Sequence, residues 1–203
     1  MLKEKAIRDR GRALMRFADL KNKLDPHFLF NSITVATELV YENPEKTEQF
    51  LLQLSKVYRY VVQHYDQNLV SLKIELEFIE DYLQLLQTRF QEGFSYELDK
   101  SLEAYEEMYV IPLTLQVLLE NVIKHNVVSK RYPVKVQIWA TETAICIKNN
   151  LNPKKDISLS DGVGLDNLKH QYLYYAPMPL KVIETKTSFC VKIPLLDPNT
   201  LEA

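Results

Sequence analysis

A histidine and an asparagine four residues apart, His27 and Asn31, stand in the run Asp25-Pro26-His27-Phe28-Leu29-Phe30-Asn31. On a helix that spacing puts both on one face, so the amide can orient one imidazole nitrogen and leave the other open. A neutral imidazole held that way is a competent nucleophile toward a phosphoryl group. The same spacing also suits a core histidine beside a kink, since a proline inside a helical pattern costs about 3 kcal/mol and bends the helix. A second group is Glu120-Asn121-Val122-Ile123-Lys124-His125. Asn121 shares a face with Lys124 at three residues and with His125 at four. An amide oxygen is a hard ligand suited to Mg²⁺, an ammonium suits a polyphosphate, and Glu120 beside them could hold water or metal. A polar helix end at the surface is the plainer alternative. The third group is Asp161-Gly162-Val163-Gly164-Leu165-Asp166-Asn167, which holds two of the chain's four glycines. Glycines there let main-chain N–H groups approach an anion just before a helix N-terminus, although a simple turn reads the same way.

The elements that must position these groups change character along the chain. The first half reads as helix. Leu14, Phe17, Leu24, Phe28 and Val35 recur at three-four spacing. Asn43-Pro44 is a helix start, and Phe50, Leu54, Val57 and Val61 follow at helical spacing until a break at Asp66-Gln67-Asn68. A third segment places Leu72, Leu76, Ile79, Leu83, Leu86 and Phe90 opposite Glu75, Glu77, Glu80 and Asp81. These stripes imply a helical hairpin, with a partner helix from a second copy. In the second half Phe94–Leu98 reads as a strand and Ile111-Pro112-Leu113 opens a helix through His125. Two alternating strands follow, around Val134–Ile138 and Ile145–Ile147, with a turn at Thr141-Glu142-Thr143 between them. Then come a loop from Asn149 to Asp161, a short helix over Leu165–Tyr175, and a terminal strand pair, Leu180–Ile183 with Phe189–Ile193. The sum is an α+β chain with helices on one face of a mixed sheet. Its expected boundary lies near Gln91-Glu92-Gly93, giving a helical region over 1–91 and a mixed domain over 92–203.

Composition narrows the classes. The chain has 203 residues, 46% of them hydrophobic and 26% charged, with 25 Lys+Arg against 27 Asp+Glu for a net charge of −2. That is a globular composition, and the near-neutral balance argues against direct nucleic-acid binding. Four glycines are few against a usual share of about 7%, so the pair near Gly162 stands out. Cys146 and Cys190 lack metal-ligand spacing and read as buried thiols in a reducing compartment. No apolar run approaches the roughly 18 residues of a membrane span, and the charged N-terminus is unlike a signal peptide.

Taken in order, the run PHFLFN at 26–31, the ENxIKH helix at 120–125 and the GxGLxN loop at 162–167 resemble the signatures of the LytS-type sensor histidine kinases. Smaller matches lie at Leu54-Ser55, Tyr58-Arg59-Tyr60, Leu72–Tyr82 and Arg89-Phe90, and the likeness covers about residues 14–195. The resemblance implies a dimerising helical region with His27 as the phosphorylated histidine, oriented by Asn31. It implies a Bergerat-type (GHKL) ATP-binding α/β sandwich in the second half. There Asn121 would hold Mg²⁺ across the phosphates of ATP, with Lys124 and His125 nearby and Glu120 as base or metal-water ligand. Gly162, Gly164 and Leu165 would form the phosphate-facing loop, with Asn167 at the start of the helix behind it. The implied reaction moves the ATP γ-phosphoryl group to His27 and then to an aspartate of a response regulator, of the LytTR type by family analogy. The implied setting is a homodimer in the cytoplasmic portion of an inner-membrane sensor, joined to the membrane only through a segment upstream of this chain.

One stretch departs from the family. Where such ATPases carry an aspartate in a DxGxG segment for adenine, this chain has Ile147-Lys148-Asn149-Asn150-Leu151-Asn152-Pro153. Asn149 takes the aspartate's place without its charge, and both glycines are missing. Gln171 stands where an arginine is common, and Lys154-Lys155 could meet phosphates or face water. This departure motivates a rival reading, a pseudokinase or docking module that keeps the fold and the dimer but signals by contact.

Overall fold

The computed structural model describes residues 26–64, 66–154, 163–176 and 178–198. They fall into two compact units that divide between Asp66 and Gln67.

The first unit is a helical hairpin of α1 (Pro26–Glu42) packed on α2 (Pro44–His64). Asn43 makes the joint. Its Oδ1 accepts from the Lys46 N–H at 3.0 Å, an N-cap, and Pro44 occupies the first helical position where no N–H is needed. On α2 the apolar residues Phe50, Leu54, Val57, Tyr60 and Val61 are buried, the spacing expected from sequence. The first described helix begins at Pro26, and the chain before it, which the expected kink would need and which holds the part of the stripe from Leu14 to Leu24, lies outside the described residues.

The second unit begins with β1 (Val70–Ser71), which pairs antiparallel with β3 (Tyr109–Val110), and with α3 (Leu72–Phe90), capped by Ser71. A 3-10 turn, Gln91–Gly93, leads into β2 (Phe94–Leu98). Gly93 is required there by close approach: a Cβ on it would lie 2.9 Å from the Ser129 backbone. Then follow α4 (Thr114–His125), β4 (Val134–Ala140), β5 (Ala144–Asn150), α5 (Val163–Tyr175), β6 (Lys181–Glu184) and β7 (Ser188–Pro194). The five long strands form one mixed sheet in the order β2-β4-β5-β7-β6, with β2 parallel to β4 and the rest antiparallel. Side chains alternate across it. Val136, Ile138, Ile145, Ile147, Val191 and Ile193 are buried on one side, while Lys135, Gln137, Trp139 and Lys148 on the other reach solvent. The α4 helix packs on α3, α5 and β5. The expected α+β class, a helical hairpin followed by a mixed sheet with helices, is what the chain adopts.

Two expectations change. The helix Leu72–Phe90 belongs to the second unit rather than to the helical region, because the chain divides at Asp66/Gln67 and not near Gly93. It touches α4, β1, β2 and β3, so its apolar side chains join the sheet's core. Glu75, read as part of a polar face, is fully buried. Its carboxylate accepts from the Leu113 and Leu115 N–H groups, each at 3.1 Å, at the start of α4.

Candidate functional site

The α4 helix carries the second group, and an elaborate set of buried polar contacts fixes where it starts. Leu113, its N-cap, has φ 66°, a left-handed conformation costly for a side chain with a Cβ. No side chain of its own caps the helix. Glu75 supplies the missing acceptor from α3, and a carboxylate at a helix N-terminus also meets the positive end of the helix dipole. Beside it the Tyr172 hydroxyl on α5 accepts from the Ile111 N–H at 3.2 Å and lies 3.1 Å from the Thr114 hydroxyl. Complete burial pushes the Tyr172 phenol well above its usual range, partly opposed by its bonds to Thr114 and Ile111. Three helices are thus tied at one end of α4.

At the other end, the chain leaving β5 is laid across the last turn of α4. Asn152 donates its N–H to Asn126 Oδ1 at 2.6 Å, Val127 donates to the Asn152 carbonyl at 2.7 Å, and the Lys154 N–H reaches the His125 carbonyl at 3.1 Å. The Lys154 ammonium donates to the Ile123 carbonyl at 3.0 Å. Lys154 thus satisfies a carbonyl in the last turn of a helix, where a cation is favoured. Lys155 lies outside the described residues.

Between these anchors Gln116, Glu120 and Lys124 follow each other at four-residue spacing, with Asn121 and His125 on the adjoining row. Gln116 donates to a Glu120 carboxylate oxygen at 2.6 Å. Asn121 is half-buried, and its Nδ2 is closed off from solvent with no partner. Lys124 is exposed and His125 half-buried. Asn149 sits on β5, buried, its Nδ2 donating to the Asn150 carbonyl at 2.6 Å. Gly164 lies in the first turn of α5, where a Cβ would meet Val117 of α4 at 3.4 Å, and its φ is not in the left-handed region. The glycine is thus placed for close helix–helix packing as well as at a helix start. Leu165 is half-buried; Asn167 is exposed, next to the Asp166–Lys169 ion pair at 2.9 Å that holds the Asp166 carboxyl below its usual range. Gly162 is outside the described residues.

The first group is on α1. His27 is exposed, and the Asn31 amide nitrogen lies 3.1 Å from its Nδ1 and 3.2 Å from its Nε2. The pairing expected at four residues is present. Its form differs: the amide faces both ring nitrogens, so it reaches the acceptor nitrogen of either tautomer. Among the remaining histidines, His64 stacks on Tyr60 with ring centroids 4.6 Å apart, and His170 is exposed.

The second unit therefore brings Glu120, Asn121, Lys124 and His125 onto one helix flanked by the β5 exit and by α5, while His27 and Asn31 share a helix of the first unit. Sequence reasoning missed Glu75, Gln116 and Tyr172. The available signal for Gln116 was an amide four residues before Glu120 in a helix otherwise rich in leucine and valine. Glu75 and Tyr172 gave none, since their partners are backbone and hydroxyl groups distant in the chain.

Residues 15–94 match the family described as Histidine kinase. This stretch includes His27 and Asn31. The chain is 37% identical over 131 residues to the sensor protein LytS of Staphylococcus saprophyticus, covering 63% of this chain and 22% of that one. It is 31% identical over 145 residues to the sensor histidine kinase/phosphatase LytS of Staphylococcus aureus, covering 68% and 25%. The sensor protein LytS of Staphylococcus haemolyticus is 38% identical over 117 residues, 55% and 20%. The matched part is a quarter or less of the length of these relatives. A solved structure of the Acinetobacter baumannii histidine kinase AdeS overlaps with a TM-score of 0.42 at 14% identity, over 84% of this chain and 98% of that one.

Proposed function

We propose that this chain is the catalytic core of a two-component sensor kinase, taking the γ-phosphoryl group of ATP onto His27 and passing it to an aspartate of a response regulator. The second unit is then a Bergerat-type (GHKL) ATP-binding domain, the hairpin dimerises, and the whole works on the cytoplasmic side of an inner-membrane sensor. A LytTR-type regulator is the partner this reading implies.

The observation that carries it is Asn121. A buried amide N–H without an acceptor is unfavourable by about 1–3 kcal/mol, and a phosphate oxygen is an acceptor that would relieve it. The same amide's oxygen is a suitable ligand for Mg²⁺, so the donor set fits a magnesium-bound polyphosphate. Lys124 adds a positive charge on the same helix, and Glu120 a carboxylate that can hold a metal-bound water. Mg²⁺, when bound, neutralises charge on the phosphate oxygens. A ring nitrogen of His27 forms the new N–P bond, the bond from the γ-phosphorus to its bridging oxygen breaks, and ADP leaves. Asn31, in reach of either ring nitrogen, orients the ring, and its amide N–H must release the nitrogen whose lone pair attacks.

Asn149 favours a second reading, a pseudokinase or docking module. It can accept the adenine amino proton through Oδ1, but as a neutral group it forgoes roughly half the strength of a charge-assisted bond. The name of the Staphylococcus aureus relative includes a phosphatase, and the same imidazole-bearing helix would serve removal of phosphate from the regulator. Titrating the chain with ADP and Mg²⁺ in a calorimeter separates kinase from docking module. The kinase reading expects saturable binding, weakened at least about tenfold in Asn121→Ala and strengthened several-fold in Asn149→Asp. Absence of saturable binding selects the docking module.

A further inference from the structure

Gln116 lies on a leucine- and valine-rich helix at a position only 7% exposed, where an apolar side chain of the same size would pack without any polar group to satisfy. Its amide is half satisfied. Nε2 donates to Glu120 at 2.6 Å, a short contact typical of a bond to a charged oxygen, while Oε1 is closed off from solvent with no partner. A buried acceptor left unpaired works against folding, so the amide is out of place as a packing residue. Local rules broken without gain to stability concentrate at functional sites.

We propose that Gln116 is a positioning residue for Glu120: it fixes the plane of the Glu120 carboxylate, through which it acts on phosphoryl transfer. The proposal rests on the nucleotide reading of α4 given above and adds to it a residue outside the three sequence signatures. The α4 backbone, anchored at both ends, holds Gln116 and Glu120 one turn apart, and the side-chain bond between them constrains the Glu120 carboxylate. Misplacing a group that handles a metal-bound water costs rate far more than affinity, because ground-state nucleotide binding relies on Asn121 and Lys124.

The test uses the 203-residue chain and its Gln116→Met, Gln116→Glu, Glu120→Gln and Gln116→Met/Glu120→Gln variants. Gln116→Met keeps the volume and removes both polar atoms; Gln116→Glu sets an acceptor against the Glu120 acceptor. Three quantities are read: Mg-ADP affinity by calorimetry, initial rates of phosphoryl incorporation across ATP concentrations, and Tm. Gln116→Met is expected to keep its Tm or raise it, to hold ADP affinity and KM within about threefold, and to lose about 10–100-fold in kcat. Gln116→Glu should lose at least as much. The double variant should be no slower than Glu120→Gln alone, because the two residues act as one unit. The proposal is overturned by Gln116→Met at full kcat, by losses that multiply in the double variant, or by a lowered Tm with an unchanged rate per folded molecule. A parent chain that takes up no Mg-ADP overturns the nucleotide reading and this role together, whereas a binding, active parent with an indifferent Gln116 variant overturns this role alone.

Discussion

Glu75 shows how much one side chain can carry. It is fully buried, and both carboxylate oxygens accept backbone N–H groups at the first turn of α4. Glu75→Ala strands those donors in the core, at about 1–3 kcal/mol each, so a loss of roughly 3 kcal/mol is expected in a urea unfolding series. Tyr172 makes a pH-dependent contribution at the same junction. Its phenol is raised on folding, chiefly by burial, so its contribution is present in full below the unfolded tyrosine value of about pH 10 and lost as pH rises from there toward the folded one. Urea midpoints from pH 8 to pH 11 should fall on the alkaline side, and Tyr172→Phe, less stable at pH 8, should fall less steeply. At this scale the sequence was a partial guide. His27 with Asn31, and the Glu120–His125 group, were legible because a helix converts spacing into a shared face. Glu75 was not, since a residue amid Glu77, Glu80 and Asp81 reads as solvated until its backbone partners, some 40 positions along the chain, are known.

Among the elements, legibility followed local signals. The α2 start came from Asn43-Pro44, the strands Phe94–Leu98 and Val134–Ala140 from alternation, and the break before α3 from a polar triplet. The expected loop from Asn149 began too early, because Asn149 and Asn150 still pair with Phe189 and Ser188 of β7. Polar residues at a strand end look like loop when their ladder partners are unseen. Cys146 and Cys190 were expected as buried thiols, and both are free and buried on neighbouring strands. Burial is the first cause that lifts each thiol above its usual range, with nearby lysines opposing it. Both should therefore react slowly with an alkylating reagent at pH 7.5 in the native chain and quickly in urea, as mass spectrometry of timed samples would show.

For the whole molecule, the position of α3 is the main lesson. Its apolar stripe was visible, but a stripe does not say which core it joins, and it joins the sheet's. The hairpin unit shows the opposite property: Phe30, Ile33, Val40 and Tyr41 on α1 and Leu51, Leu52 and Val62 on α2 are exposed. A second copy covering them fits the proposed homodimer, and thermal melting of the chain should then shift upward with protein concentration. A melting curve independent of concentration argues against that dimer. Among the described residues no helix is long and apolar enough to cross a membrane.

Incubating the chain with Mg²⁺ and γ-labelled ATP, then mapping the label, tests the phosphotransfer account most directly. The account predicts a phosphate that survives base but is lost in acid, located on His27 and absent from His27→Gln. A chain that binds Mg-ADP yet carries no label, or carries it on another residue, contradicts it.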